Sequence, residues 1–202
     1  MKKLAVAFLL ACTGSAWAQY GELWFSAGQS LITNGKLGTF SVVGGSEDDV
    51  ELTDGFRFGF RFATNQDGHG GYEIQYAYSR MQLRLNDPAG VEPSVDYGMA
   101  AHTGGVNYLL YATPLDVRIR PFATGGVHFT NFVPPGASAT SGGGSTKFGF
   151  NYGGGIKIRV LEIAALRFDF RQYTNPKPNF GTELRSGWFR QNEVSAGIGL
   201  VF

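Results

Sequence analysis

Residues Phe56 to Phe62 read Phe-Arg-Phe-Gly-Phe-Arg-Phe, with a phenylalanine at every second position. Successive side chains of a β-strand point to opposite faces, so a strand here carries four phenylalanines on one face and Arg57, Gly59 and Arg61 on the other. In a soluble sheet the phenylalanines would pack in a core and the arginines would contact water. In a membrane-spanning barrel the phenylalanines would contact lipid and the arginines would point inward. The rest of the chain decides between these two settings.

The start of the chain has the pattern of a secretory signal peptide. Two lysines and an apolar stretch precede Ala16-Trp17-Ala18, which has the small-x-small spacing of a cleavage site. We therefore expect residues 1–18 to be a signal peptide and residues 19–202 to be one mature domain. The single cysteine, Cys12, leaves lipoprotein-type cleavage open as an alternative to cleavage after Ala18.

Composition excludes several classes of protein. After the leader, no window approaches the roughly 18–20 continuous apolar residues of a membrane helix. Charged residues make up 16% of the chain and the formal net charge is +1, which argues against a nucleic-acid-binding protein. The 30 glycines and the 14% aromatic content accompany many alternating stretches, as expected for an all-β wall.

The alternating stretches and their connections predict the architecture. Strands are expected near residues 22–31, 53–64, 72–79, 98–111, 117–130, 147–160, 166–171 and 192–202. The connections between them alternate between long and short, as in barrels that have short periplasmic turns and long surface loops. We therefore predict an all-β fold, an eight-stranded antiparallel up-and-down transmembrane β-barrel in the cell outer membrane. After Arg80 the apolar positions change parity, which indicates a bulge or the exit of that strand from the bilayer.

Strand parity assigns the two faces of the wall. The lipid-facing set is Phe56, Phe58, Phe60, Phe62, Tyr76, Phe150, Tyr152, Ile156, Phe168, Phe170, Ile198 and Leu200. The lumen-facing polar set is Arg57, Arg61, Glu73, Gln75, Asn107, Lys157, Arg159, Arg167, Asp169 and Arg171. Aromatic residues near strand ends are expected to form interfacial girdles: Trp24, Tyr72, Tyr108, Phe122, Phe148, Tyr173, Trp188 and Phe189.

Several motifs resemble a known group of proteins. Gly153-Gly154-Gly155-Ile156-Lys157-Ile158, followed by Leu166-Arg167-Phe168-Asp169-Phe170-Arg171, resembles the penultimate hairpin of the small outer-membrane β-barrel proteins, the opacity-like and OmpA-transmembrane-domain-like porin family. Arg120-Pro121-Phe122 before Gly125-Gly126 resembles the fifth strand of that group, and Phe202 resembles the signal that the barrel-assembly machinery reads. The resemblance implies an outer-membrane barrel whose partners are outer-membrane lipids, lipopolysaccharide and that machinery. It does not imply one function.

The lumen charges leave two interpretations open. An eight-stranded barrel has an interior just wide enough for side chains to fill, and buried charges there need partners or water. Within the predicted strands, the lumenal arginines and lysine face only Glu73 and Asp169. A paired polar plug and a cationic lumen that attracts an anionic solute or a lipopolysaccharide phosphate both fit this pattern. A general diffusion pore does not, because it needs about 16 strands.

The chain carries no complete enzyme or metal-binding motif. The segment from Arg171 to Asn175 resembles, in its placement, the His-x-Ser-Asn segment of the lipid A deacylase family, but Gln172 and Thr174 stand where the histidine and serine belong. Glutamine cannot act as a general base near neutral pH. The acidic stretch of Glu47, Asp48, Asp49 and Glu51 lies on the first predicted loop and lacks the spacing of a calcium loop. We expect no catalytic residues, no metal and no cofactor.

The function predicted from sequence is a structural or surface-interaction role. The long extracellular loops would carry it, with a possible extracellular ligand, while a polar, side-chain-filled lumen supports the barrel. A lipid A-modifying barrel enzyme and a narrow anion or small-solute channel are the alternatives, and no nucleic acid is expected as a partner.

Overall fold

The computed structural model describes residues 20–41, 47–66, 68–87, 93–137, 144–180, 183–184 and 187–202. Its strands are β1 (Tyr20–Ile32), β2 (Lys36–Ser41), β3 (Glu47–Asn65), β4 (Gly70–Asn86), β5 (Val95–Tyr111), β6 (Ile119–Val133), β7 (Ser145–Arg159), β8 (Ala164–Pro176), β9 (Glu183–Leu184) and β10 (Trp188–Val201). The signal peptide expected at 1–18 lies outside the described residues. In the described ranges, no helix is long and apolar enough to cross a membrane.

Eight of these strands form a closed antiparallel wall, which confirms the predicted fold. Neighbours around the barrel are β1, β10, β8, β7, β6, β5, β4 and β3 in that order, and β3 pairs back with β1. Leu23 marks the closure, because it lies opposite Leu200 of β10 on one side and Phe62 of β3 on the other. Closure leaves the wall strands without a free edge.

The two ends of the barrel differ. The connections β3–β4, β5–β6 and β7–β8 are short and lie together at one end, which we call the short-turn end. The other end, the long-connection end, carries the remaining connections and the two short strands. There β2 pairs with β3, with Thr39 opposite Asp49, and also with β9. The prediction of a loop over residues 32–52 is therefore wrong for residues 36–41 and 47–52, which lie on β2 and β3, and residues 42–46 lie outside the described residues. Asp49 and Glu51 lie on strand β3.

The kind of side chain that points into the barrel changes along its axis, from polar near the short-turn end to apolar near the long-connection end. Toward the short-turn end, apolar residues such as Tyr76 are outside and polar residues such as Gln75 are inside. Past Arg80, the alternation of β4 continues without interruption but Met81 is now the buried residue. The bulge considered for β4 is on β3 instead, where the register shifts between Thr53 and Phe56.

Because the inward-facing residues of the long-connection end are apolar, they form an apolar core inside that end of the barrel. Eight buried residues form it, and we call them the apolar plug: Leu37, Val50, Leu52, Met81, Met99, Ala101, Phe132 and Phe189. The rings of Phe132 and Phe189 meet edge to face at 5.5 Å. This end of the barrel is therefore packed as the interior of a soluble β-protein is, with apolar side chains inside.

Candidate functional site

The centre of the lumen holds a network of buried ion pairs. Arg167, Asp169 and Arg171 alternate inward along β8, and Glu73 reaches them from β4. Arg167 Nη1 lies 2.7 Å from Glu73 Oε2, and Arg171 Nη1 lies 2.8 Å from Glu73 Oε1. Arg167 also donates to Asp169 through Nε at 2.7 Å. Arg61 also pairs with both carboxylates, so three guanidinium groups share each of them, and this arrangement makes buried charge tolerable.

A further carboxylate, Glu193 on β10, extends the network toward the long-connection end. Arg57 Nε lies 2.9 Å from Glu193 Oε2, and Arg61 forms a further ion pair with Glu193 Oε1. The Tyr173 hydroxyl donates to Glu193 at 3.0 Å and the Ser195 hydroxyl donates to it at 2.6 Å. The guanidinium of Arg57 also lies over the Tyr173 ring, 4.4 Å from its centroid.

A third group of side chains lies near the short-turn end. Lys157 pairs with Glu22 and donates to the Tyr111 hydroxyl at 2.5 Å. Trp24 donates its indole N–H to Glu22 at 2.8 Å. Arg120 lies over the Tyr111 ring, 3.7 Å from its centroid. Aromatic faces and a carboxylate therefore surround the two cations at this level.

Sequence reasoning missed two of the four lumenal carboxylates. Among the described residues, the buried cations of the wall strands are Arg57, Arg61, Arg120, Lys157, Arg167 and Arg171, and the buried carboxylates are Glu22, Glu73, Asp169 and Glu193. Lys177, just after β8, is a further buried cation. The prediction that the lumenal cations face only Glu73 and Asp169 is wrong, and the net charge of the lumenal side chains is closer to zero than expected. Parity would have found the missing pair, because Leu23 and Val194 face outward and their neighbours Glu22 and Glu193 must face inward.

The structure places nine of the ten predicted lumenal residues in the barrel interior. Those nine are Arg57, Arg61, Glu73, Gln75, Asn107, Lys157, Arg167, Asp169 and Arg171. Arg159 is half-buried at the short-turn end and donates to the Leu115 carbonyl at 3.0 Å.

All twelve residues assigned to the lipid side lie on the outside of the wall. Ten have exposed side chains, namely Phe56, Phe60, Phe62, Tyr76, Phe150, Tyr152, Phe168, Phe170, Ile198 and Leu200. Phe58 and Ile156 are half-buried. Phe58 packs against a neighbouring ring on the same face, 5.0 Å from the centroid of Phe60.

Half of the aromatic residues assigned to interfacial girdles lie on the outer face of the wall. Tyr72, Tyr108, Phe148 and Trp188 are exposed on the outer face. Trp24, Phe122, Tyr173 and Phe189 are buried inside the barrel, so their assignment to an interfacial girdle is wrong. Three of these inner rings support cations of the lumen, and Phe189 belongs to the apolar plug.

The segment compared with a deacylase motif holds hydrogen-bonded amides. On the outer face, Tyr152 donates to Gln172, and Gln172 donates to Asn192 at 3.0 Å, so the chain of contacts crosses three adjacent strands. His102 contacts the hydroxyl of Tyr76 at 2.8 Å, and His128 contacts the amide of Asn175 at 3.5 Å. Over the described ranges, no histidine bonds to a serine, and no group of three or more His, Cys, Asp or Glu residues could hold a metal ion.

Solved structures with the same fold are outer-membrane barrels. OprG of Pseudomonas aeruginosa matches with a TM-score of 0.58 at 12% identity, over 90% of this chain and 96% of that chain. Neisserial surface protein A matches with a TM-score of 0.54 at 14% identity, over 92% and 100%. Ail, the attachment invasion locus protein of Yersinia pestis, matches with a TM-score of 0.52 at 12% identity, also over 92% and 100%. At these identities the similarity shows the fold alone.

Sequence comparison supplies the family. No curated protein sequence matches this chain significantly. The family model for the outer membrane protein beta-barrel domain, however, matches residues 4–202. That match takes in all eight wall strands, and it agrees with the closed antiparallel barrel, the apolar outer face and the ion-paired lumen. The chain therefore belongs to the outer membrane protein beta-barrel domain family and is a protein of the cell outer membrane.

Proposed function

We propose that this protein is a structural, surface-interacting barrel whose lumen conducts no solute and whose long-connection end faces the cell exterior. The observation that carries the proposal is the double obstruction of the lumen. A charged network with Glu73 and Glu193 at its centre crosses the middle, and the apolar plug fills the outer end. A hydrated ion would have to break buried ion pairs and then enter a water-poor apolar segment, and each step is costly.

The ion pairing also argues against the anion-channel alternative. A selective cationic filter needs positive groups that are free to bind a passing anion. Arg61, Arg167 and Arg171 already bind carboxylates within the lumen. Their charge holds opposite sides of the wall together, which supports a structural role for these residues.

The strands that extend past the apolar plug offer a surface for interactions. Arg84 binds Asp96 on the neighbouring strand through Nε at 2.7 Å and through Nη2 at 3.0 Å. These hydrogen bonds lower the pKa of Asp96, so the pair stays charged on this exposed surface. Among proteins of the same fold, the Ail structure is a complex with the heparin analogue sucrose octasulfate. By analogy in fold alone, we infer that the extracellular connections here carry the contacts with an outside ligand.

The wall itself is proposed to contact outer-membrane lipid and lipopolysaccharide through its exposed apolar face. Assembly is proposed to use the terminal Phe202 as the signal for the barrel-assembly machinery. The lipid A-modifying alternative is not favoured, because Gln172 cannot act as a general base and its amide already bonds to Tyr152 and Asn192.

Conductance in planar bilayers tests the closed lumen. We expect no steady conductance from the folded protein, whereas a stable anion-selective current would overturn the proposal in favour of a channel. A second measurement, the lipid A mass spectrum of cells with and without the protein, should show no change in acyl chains. A lost or gained acyl chain would establish an enzyme.

Cell attachment tests the surface role. Cells that display the full chain are compared on heparin-coated surfaces with cells whose chain carries Lys36→Gln and Arg190→Gln, which remove two exposed cations of the long-connection end. We expect attachment to fall in the variant while barrel folding is unchanged. Equal attachment by cells that display the full chain and by cells that lack the protein would remove heparin-like polyanions as the ligand class.

A further inference from the structure

A small cavity opens at the short-turn end of the lumen, far from the apolar plug. Its volume is about 20 Å³, and its polar and aromatic lining comes from Glu22, Trp24, Arg118, Arg120, Lys157 and Arg159. Four of these six side chains are cations. A space of this size holds about one water-sized atom, so it would admit one oxygen of a larger group.

Arg120 differs from the other cations of this cavity because it is buried and two of its nitrogen atoms lack a hydrogen-bond partner in the part of the chain that the structure describes. The residue is only 4% exposed, yet its Nε and Nη2 atoms have no hydrogen-bond partner within the described residues. One face of its guanidinium lies on the Tyr111 ring, 3.7 Å from the centroid, which leaves the edge with its donors free. Buried donors without an acceptor are costly, so a fold that keeps them implies a missing acceptor.

The cations beside Arg120 are held in place by the backbone. Arg118 donates through Nε to the Arg159 carbonyl at 2.9 Å, and Arg159 donates through Nη2 to the Leu115 carbonyl at 3.0 Å. Both contacts fix the long side chains at the rim of the cavity. Each guanidinium keeps further N–H donors beyond the one used in these bonds.

The carboxylates near the cavity do not neutralise its cations. Glu22 and Asp116 are the acidic groups that act on Arg120, and Arg159 repels it. Glu22 is already bound by Lys157 and by Asn65, whose amide donates to it at 2.7 Å. Asp116 lies in the β5–β6 turn and is exposed. Four cations and one carboxylate, Glu22, line the cavity, so the cavity itself has an excess of positive charge, although Glu162 and the Phe202 carboxylate also lie at this end of the barrel.

We propose that the short-turn end of the barrel binds a phosphate-class oxyanion, with Arg120 as its deepest ligand and Arg118 and Arg159 as rim ligands. Guanidinium groups match the oxygens of phosphate in a forked geometry that lysine does not provide. The small cavity takes one phosphate oxygen while the rest of the group stays outside the lumen. The phosphate could belong to a phospholipid headgroup of the adjacent leaflet or to a free phosphate, and the two sources can be separated by experiment.

Tryptophan fluorescence gives a direct test, because the Trp24 indole lines the cavity. Mature chain (19–202) carrying Trp188→Phe is folded in a maltoside detergent, which contains no phosphate, and titrated with inorganic phosphate against chloride at constant ionic strength. We expect a saturable change with phosphate only. Arg120→Gln should weaken the apparent affinity about tenfold or more, as expected for lost charged hydrogen bonds.

Two further variants guard against a folding artefact. Arg118→Gln removes an exposed rim cation and should weaken binding without affecting the barrel. Arg84→Gln removes a guanidinium from the opposite end and should leave binding unchanged. Folding of each variant is checked by its faster migration, before boiling, on a denaturing gel. A wild-type response equal in phosphate and chloride, or an equal loss in Arg84→Gln, would overturn the proposal.

Lipid retention separates the two sources of phosphate. The same proteins are mixed with phosphatidylglycerol or with an uncharged glycolipid, and bound lipid is counted by native mass spectrometry. Retention of phosphatidylglycerol that Arg120→Gln abolishes assigns the site to a lipid headgroup. A phosphate response without retained lipid assigns it to a soluble phosphate.

Discussion

Arg167 on β8 donates to Glu73 on β4 through Nη1 at 2.7 Å. These two strands lie on opposite sides of the closed wall, four neighbours apart in either direction around the barrel. A single ion pair therefore spans the lumen and ties together residues that are 94 positions apart in sequence. Such a contact can form only after the barrel has closed, so it stabilises the closed state and not any isolated hairpin.

The first prediction concerns the charge of Glu73. Glu73→Gln keeps the size of the side chain but removes the negative charge that Arg167 and Arg171 share. Removing one partner of a buried pair leaves uncompensated charge and typically costs about 3–5 kcal/mol. We expect a loss of this size in the free energy of unfolding, measured by urea titration of the protein in lipid vesicles.

Asp96→Asn is the matched control for this prediction. Asp96 also binds an arginine, but the pair with Arg84 is exposed to solvent, where ion pairs contribute little. Its unfolding curve should overlay that of the wild type. If Glu73→Gln were as stable as Asp96→Asn, the lumenal network would not be a source of stability.

The second prediction concerns the apolar plug. Phe132 is fully buried in it and meets Phe189 edge to face. Phe132→Ala should cost about 3–5 kcal/mol because it leaves a cavity in a packed core. Phe129→Ala, on the same strand but with an exposed ring on the outer face, is the control and should cost much less. Urea unfolding measures both, and equal losses would contradict the existence of a packed plug.

The third prediction concerns the bulge of β3. Asp54 and Gly55 together face one residue of β4, and this extra residue lets Leu52 and Arg57 both point inward. Deleting Gly55 would make the pairing of β3 with β4 regular. The side chains on one side of the deletion would then point to the opposite face of the wall. Either the phenylalanines enter the lumen or the plug residues leave it. We expect no folded barrel, seen as identical gel migration before and after boiling.

Gly136 provides the control deletion for the bulge. It lies in the β6–β7 connection, and a Cβ added there would meet no atom within 4 Å. A chain that lacks Gly136 should still migrate faster before boiling. A folded barrel in the Gly55 deletion would show that the bulge does not set the facing of β3.

The wall was predictable from sequence because its two faces differ so strongly. From Phe56 to Phe62 every outward residue is aromatic and every inward residue is arginine or glycine, so a period of two can be seen without any alignment. The same rule, applied to Leu23 and Phe25, would have placed Trp24 inside. Aromatic residues near strand ends were instead assigned to girdles by residue type, which does not distinguish a ring at a lipid interface from a ring beneath a lumenal cation.

Contacts across the lumen were not predictable in the same way. Parity shows that Glu73 and Arg167 face inward, but their meeting depends on strand order and on the stagger that closes the barrel. The apolar plug could not be predicted from the sequence for a related reason. Its residues Leu37 and Phe189 lie in segments interpreted as loops, and their burial requires β2 and β10 to continue past the apolar belt.

The last prediction concerns Phe202. Its backbone closes the wall, since Gly21 N donates to Phe202 O at 2.8 Å and Phe202 N donates to Gly21 O at 3.0 Å. Its ring is 68% exposed and contributes little packing, so Phe202→Ala should refold into detergent almost as well as the wild type. If the ring is the signal read during assembly, the same variant should accumulate less folded barrel in cells.

Ile198→Ala removes an equally exposed outward side chain of β10 and should not show this loss. Heat-modifiable migration of protein from cells and of refolded protein measures both effects, and equal cellular levels of the two variants would mean that Phe202 acts through its backbone alone.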